Sequence, residues 1–161
     1  MKKNKFGDKK VFHYLCSPKQ NYKTMCLYLK RNEPKFAKQD IICYKFLIKK
    51  KEGFFTPYRY NIVKIGKLLE DSKSVTMDEG EFFRGNKYQL KGGVFHSYKH
   101  IESAVEDIEW FKEESYYKSC QFHIFKCIIP KGTCYYEGID SAGDECYASR
   151  KIIIKEEIKN D

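Results

Sequence analysis

Two runs of β-forming residues, Ile41-Ile42-Cys43-Tyr44-Lys45-Phe46-Leu47-Ile48 and Gln121 to Ile129, set the tightest limit on what this chain can fold into. β-Branched and aromatic side chains fit a pleated, half-buried surface better than a helix, where their χ1 freedom is lost. The first run ends in Lys49-Lys50-Lys51-Glu52-Gly53, which reads as a hairpin turn. The second is stopped by Pro130 and turned by Lys131-Gly132; extension resumes over Thr133 to Tyr136, and Ser149 to Ile154 forms a last strand. Links this short favour antiparallel pairing, because parallel neighbours need crossovers of about a dozen residues or more.

One segment carries a helical period. Ile101, Ala104, Val105, Ile108 and Phe111 recur on one side, with Glu102, Glu106, Asp107 and Glu109 on the other, and the start falls between Ser97 and His100. Phe54 to Leu69 is compatible with an extended segment or a short helix, Asp71 to Glu81 reads as a polar loop, and Phe82 to Leu90 holds a short strand. Together these predict an α+β fold: a mostly antiparallel sheet with one long amphipathic helix and a basic N-terminal segment. Aromatic residues make up 16% of the chain, which argues for a packed core over disorder. The length suits one domain over residues 1–161, with 1–10 a basic arm and 11–40 a basic subregion turned at Ser17-Pro18 and Pro34.

Charge is distributed unevenly. The first 51 residues hold 15 Lys and Arg against three Asp and Glu, and the rest hold 16 against 19. A field of this sign, felt over a Debye length of about 8 Å, attracts nucleic acid, nucleotides or an acidic protein face. The expected binding residues are Lys9, Lys10, Lys19, Lys23, Lys30, Arg31, Lys49, Lys50 and Lys51, with Tyr22 and Tyr28 as surfaces on which a base stacks. The N-terminus lacks the apolar stretch of a signal peptide, and no run reaches the roughly 18 apolar residues of a membrane span, so a cytoplasmic protein with no membrane partner is expected.

Catalytic and metal signals are sparse. Seven Cys without an export signal read as free thiols; Cys120, Cys127 and Cys134 are spaced by seven, and no Cys-x-x-Cys occurs. His13, Cys16 and Cys26 offer three zinc ligands without a fourth, so no metal is expected. There is no P-loop, dinucleotide fingerprint or His-Glu-x-x-His. Gly92-Gly93-Val94-Phe95-His96-Ser97 leads into the helix, where it forms either an anion cradle or a glycine turn, a strand and a Ser97 cap. His96 and His123 invite comparison with the two-histidine phosphoesterases, but His96-Ser97-Tyr98 and His123-Ile124-Phe125 lack the aliphatic hydroxyl two residues on.

Two resemblances follow from these residues. Gly93-Val94-Phe95-His96-Ser97, then Phe125-Lys126-Cys127-Ile128-Ile129-Pro130-Lys131-Gly132-Thr133-Cys134-Tyr135-Tyr136-Glu137-Gly138, then Tyr147-Ala148-Ser149 and the strand Lys151 to Ile154, resemble a family of small phage and prophage accessory proteins. That resemblance implies a non-enzymatic binding module in a bacterial host cytoplasm, acting on nucleic acid, a nucleotide or an acidic host protein, with counter-defence as one role and without a cofactor. The order of a Ser-bearing strand, a helix with an early Ala, an Ile-Pro-x-Gly strand and a late acidic residue is also similar to the ADP-ribosyltransferase fold. This second likeness implies NAD as substrate, with His96, Ser97 and Glu145 at the catalytic site; Arg84-Gly85 resembles that family's Arg-Gly step, while Lys45 stands where Arg or His is expected.

Overall fold

The computed structural model describes residues 27–57, 62–113 and 117–159. Among these residues thirteen strands form one continuous sheet: β1 (Leu27–Leu29), β2 (Lys35–Phe36), β3 (Ile41–Lys50), β4 (Gly53–Phe55), β5 (Ile62–Val63), β6 (Leu68–Glu70), β7 (Thr76–Glu79), β8 (Tyr88–Gly92), β9 (Phe95–Tyr98), β10 (Gln121–Ile129), β11 (Cys134–Ile139), β12 (Glu145–Ser149) and β13 (Lys151–Ile158). The main path runs β6-β13-β10-β3-β9-β12-β11-β1-β8-β7, and every pair is antiparallel. β2 joins β11, and the short β4 and β5 extend the turn end of β3. The sheet curls into a half-barrel.

The two β-rich runs form its centre. β3 and β10 pair along nine residues, from Ile41 opposite Ile129 to Lys49 opposite Gln121. Alternation then divides their side chains between two cores. Phe46, Ile48 and Ile124 face the first, with Leu27, Leu29, Leu90, Tyr98, Cys146 and Ala148; Cys43, Leu47, Phe125, Cys127 and Ile129 face the second, with Tyr147, Ile152 and Ile154. Both faces of the central strands are apolar because each is covered, which explains why Ile41 to Ile48 shows no clean polar alternation.

The helix α1 (Ile101–Glu113) covers the first core. Its Phe111 ring meets Phe46 edge-on at 5.4 Å and Tyr117 at 4.8 Å. The buried stripe is Ser103, Ala104, Asp107, Ile108 and Phe111, rotated from the apolar period in the sequence, because the Tyr98 hydroxyl donates to Asp107 Oδ2 at 2.5 Å and draws a carboxylate inward.

The α+β expectation is therefore wrong. Among the described residues 51% are strand and 13% helical, and α1, at 13 residues, is about 20 Å long. The period that announced it ends at Phe111, so among the described residues the helix is short beside the sheet. Strand occupies segments that read otherwise: Thr76–Glu79, in the expected polar loop, pairs with β8, and the ambiguous stretch before Leu69 holds β5 and part of β6. Ser97 lies within β9, three residues clear of the helix and capping nothing there. Gly138 is needed for the β1–β11 pairing, since a Cβ there would run into the Tyr28 carbonyl oxygen.

Candidate functional site

A cleft of about 720 Å³ opens where β1, β11 and the start of β12 meet the connector after Leu29 and the turn at Arg84. Lys30, Arg31, Lys35, Arg84 and Lys99 line it, against Glu33, Glu137 and Glu145. Register places the inner pairs. Glu145 begins β12 beside the exit of β9, where Lys99 N–H donates to its carbonyl at 3.1 Å and Lys99 Nζ to its carboxylate at 3.1 Å; His100 Nε2 lies 3.2 Å from the second oxygen. Hydrogen bonds from Lys99 and then His100 hold the Glu145 carboxyl below its usual range, and the same bond raises Lys99. Lys35 on β2 pairs with Glu137 on β11 and is likewise raised.

These pairs leave Lys30, Arg31 and Arg84, all exposed, with no carboxylate within salt-bridge distance among the described residues. Arg84 is held by an uncommon backbone. It has φ 54° and ψ 36°, inside a 3₁₀ turn over Phe83–Gly85 that Asn86 closes by donating Nδ2 to the Phe83 carbonyl at 2.7 Å. Its guanidinium lies 4.9 Å over the Phe83 ring and against Gly143, whose φ of 85° and missing Cβ make room for it. The chemistry on offer is anion recognition: a planar fork and two flexible cations facing open space.

Compared with protein-family models, curated proteins and solved structures, the chain gives no significant match.

Of the residues expected from sequence, Lys30 and Arg31 line the cleft. Lys9, Lys10, Lys19, Tyr22 and Lys23 lie outside the described residues, as do His13, Cys16 and Cys26. Lys49, Lys50 and Lys51 occupy the β3–β4 hairpin and do not line the cleft; Lys49 and Lys50 cover the rings of Phe54 and Phe55 at 4.4 and 5.4 Å. Tyr28 is 4% exposed, with its ring near Phe82 and Phe83, and offers no face to a base. Lys35, Arg84 and Lys99 were missed because their convergence depends on the curl of the sheet. Only the Arg84-Gly85 step drew notice in the sequence.

The NAD constellation is not brought together. His96 opposes Ala148 on the face of the first core, while Ser97 opposes Tyr147 on the other face, so adjacent residues point apart. Ser97 is 1% exposed, whereas the Glu145 side chain is 57% exposed and held by two cations.

Asp107, Asp140 and Asp144 place carboxylate oxygens within 4.8 Å of one another, the described residues best able to hold a hard cation. Much of that capacity is committed. Asp107 accepts from Tyr98, and Asp140 Oδ1 accepts the amides of Ala142 and Asp144 at 2.9 Å each, closing the β11–β12 turn. Burial, then the charges of Asp140, Asp107 and Asp144, push the neighbouring Cys146 thiol well up. No helix among the described residues is long and apolar enough to cross a membrane.

Proposed function

We propose that this protein is a non-enzymatic binding module that holds a phosphate-bearing ligand, a nucleotide or a single-stranded nucleic acid segment, in the cleft beside β11. The observation that carries the reading is the convergence of Lys30, Arg31 and Arg84, without carboxylate partners among the described residues, on a space of about 720 Å³. That volume lies within the about 300–1,000 Å³ usual for small-ligand sites. The excess of cations in the first 51 residues extends the field that would draw such a ligand in. The resemblance of its motifs to phage and prophage accessory proteins is the ground for proposing a bacterial cytoplasm as its setting and counter-defence as its role, with sequestration of a nucleotide or nucleic acid as its mode.

Catalysis on NAD finds no comparable support, because Ser97 is buried and His96 faces the other way. The test is to purify the protein at low and at high salt, compare absorbance at 260 and 280 nm, and identify by mass spectrometry whatever is released on denaturation. A salt-sensitive excess at 260 nm, lost in a triple variant of Lys30, Arg31 and Arg84 to Ala, is the expected result. A clean protein spectrum, with no gain on adding labelled oligothymidylate or ATP, would overturn the reading and leave an acidic protein as the partner to seek.

A further inference from the structure

The register of the central strands sets Cys43 on β3 directly opposite Cys127 on β10. Both are fully buried, both are free thiols, and both face the second core. Opposed residues on antiparallel strands have Cα atoms about 4.5–5.5 Å apart. Disulfides span Cα distances of about 4.4–6.8 Å, a range that covers the spacing of an opposed pair. Their proximity also shows in their titration, where each thiol is the largest influence on the other.

Their surroundings make them unequal. The neighbouring Cys127 thiol lowers Cys43 against the opposing effect of burial, with the Ser97 hydroxyl and the Lys45 charge adding to it; Cys127 is raised by its place beside Cys43 and by burial. Cys127 Sγ donates to the Phe125 carbonyl at 3.6 Å, so the proton stays on Cys127 while Cys43 is the nucleophile. The flank of β3 beside Cys43 is not sealed by a full ladder, since β3 meets β9 at one bridge, Tyr44 opposite Tyr98, supplemented by Lys45 Nζ on the His96 carbonyl at 2.6 Å. A small neutral oxidant needs only that seam to part.

We propose that Cys43 and Cys127 form a dithiol modification site, which a hydroperoxide converts to a cross-strand disulfide. The Cys43 thiolate attacks the terminal peroxide oxygen; the S–O bond forms, the O–O bond breaks, and the leaving oxygen departs as water or an alcohol after taking up a proton. The Cys127 thiol then attacks the Cys43 sulfenic acid, forming S–S and breaking S–O, and a second water leaves with the Cys127 proton. Two thiols supply the two electrons that reduce one peroxide. The product ties β3 to β10 at the middle of the sheet and closes a long loop in the unfolded chain.

The full-length protein, reduced and freed of reductant, is treated with hydrogen peroxide, unfolded, alkylated and digested without reductant. The expected product is one peptide containing Cys43 joined to one containing Cys127, formed while far-UV circular dichroism stays that of the folded protein and reversed by dithiothreitol. In Cys127→Ser, Cys43 stops at the sulfenic acid and is captured by dimedone. Recovery of both cysteines as alkylated thiols, linkage of Cys43 to a different cysteine, or linkage only after the folded signal is lost would each overturn the proposal.

Discussion

Arg84 and Glu145 show how single residues set the cleft's charge. Arg84 pays for its position with a left-handed backbone, a cost of about 1–2 kcal/mol for a residue carrying a Cβ. Replacing it by Ala should keep the strain and lose the guanidinium; replacing it by Gly loses the guanidinium and releases the strain. Both variants should bind labelled oligothymidylate about tenfold more weakly, the worth of one charge-assisted hydrogen bond, while Arg84→Gly alone gains about 1 kcal/mol in urea unfolding. Glu145 works in the opposite sense by occupying Lys99. Glu145→Gln should tighten oligonucleotide binding about threefold and change stability by less than about 1 kcal/mol, because the pair is exposed; a loss of binding would show Glu145 to be a ligand contact instead. The pH dependence follows from the same pair. Glu145's folded pKa is depressed, so its contribution is present above the ordinary value of 4.5 and is lost as pH falls through the lowered one. Lys99 is raised, so its share is present below 10.5 and is lost as pH rises through its higher folded value. Acidification through Glu145's lowered pKa, and not at its ordinary value of 4.5, therefore frees Lys99 and strengthens anion binding, as a titration monitored by anisotropy would show.

At the level of elements, the Phe111 ring and the Asp107 carboxylate are two of the groups that hold α1 to the first core. Phe111 sits among Phe46, Tyr117 and Phe122, and Phe111→Ala should cost about 3–5 kcal/mol in chemical denaturation, through lost transfer energy and a cavity that rigid strands cannot close. Tyr98→Phe removes the donor to buried Asp107 and should cost about 1–3 kcal/mol without altering oligonucleotide affinity, since Tyr98 does not line the cleft. The helix was legible because its apolar residues recur at helical spacing. The rotation that buries Ser103 and Asp107 was not, because it depends on a tyrosine from another strand reaching the helix. Short edge strands were illegible for a related reason: Thr76-Met77-Asp78-Glu79 carries no apolar alternation and is extended because β8 supplies its hydrogen bonds.

For the whole molecule, the binding reading depends on long-range charge and hence on salt. If Lys30, Arg31 and Arg84 each neutralise one phosphate, the logarithm of affinity for oligothymidylate should fall against the logarithm of salt with a slope of about −2. Arg84→Ala should make that slope shallower by about 0.7, whereas Lys49→Ala, at the β3–β4 hairpin, should leave the cleft's share unchanged. A salt-independent affinity would remove the phosphate from the account.

The central strands, their turn at Gly53, the stop at Pro130 and the place of α1 are written in local composition, because propensity and periodicity act over a few neighbouring residues. The curl, the division of β3 and β10 between two cores, and the cleft come from pairings between residues far apart in the chain. Lys30, Arg84 and Lys99 belong to separate elements and share no spacing that could announce them. The same logic separates His96 from Ser97: adjacency in sequence suggested one site, and the two-residue repeat of a strand sends their side chains to opposite faces. Cys43 and Cys127 present the converse case, where two thiols far apart in sequence, with no spacing to relate them, become neighbours through the register of the central ladder.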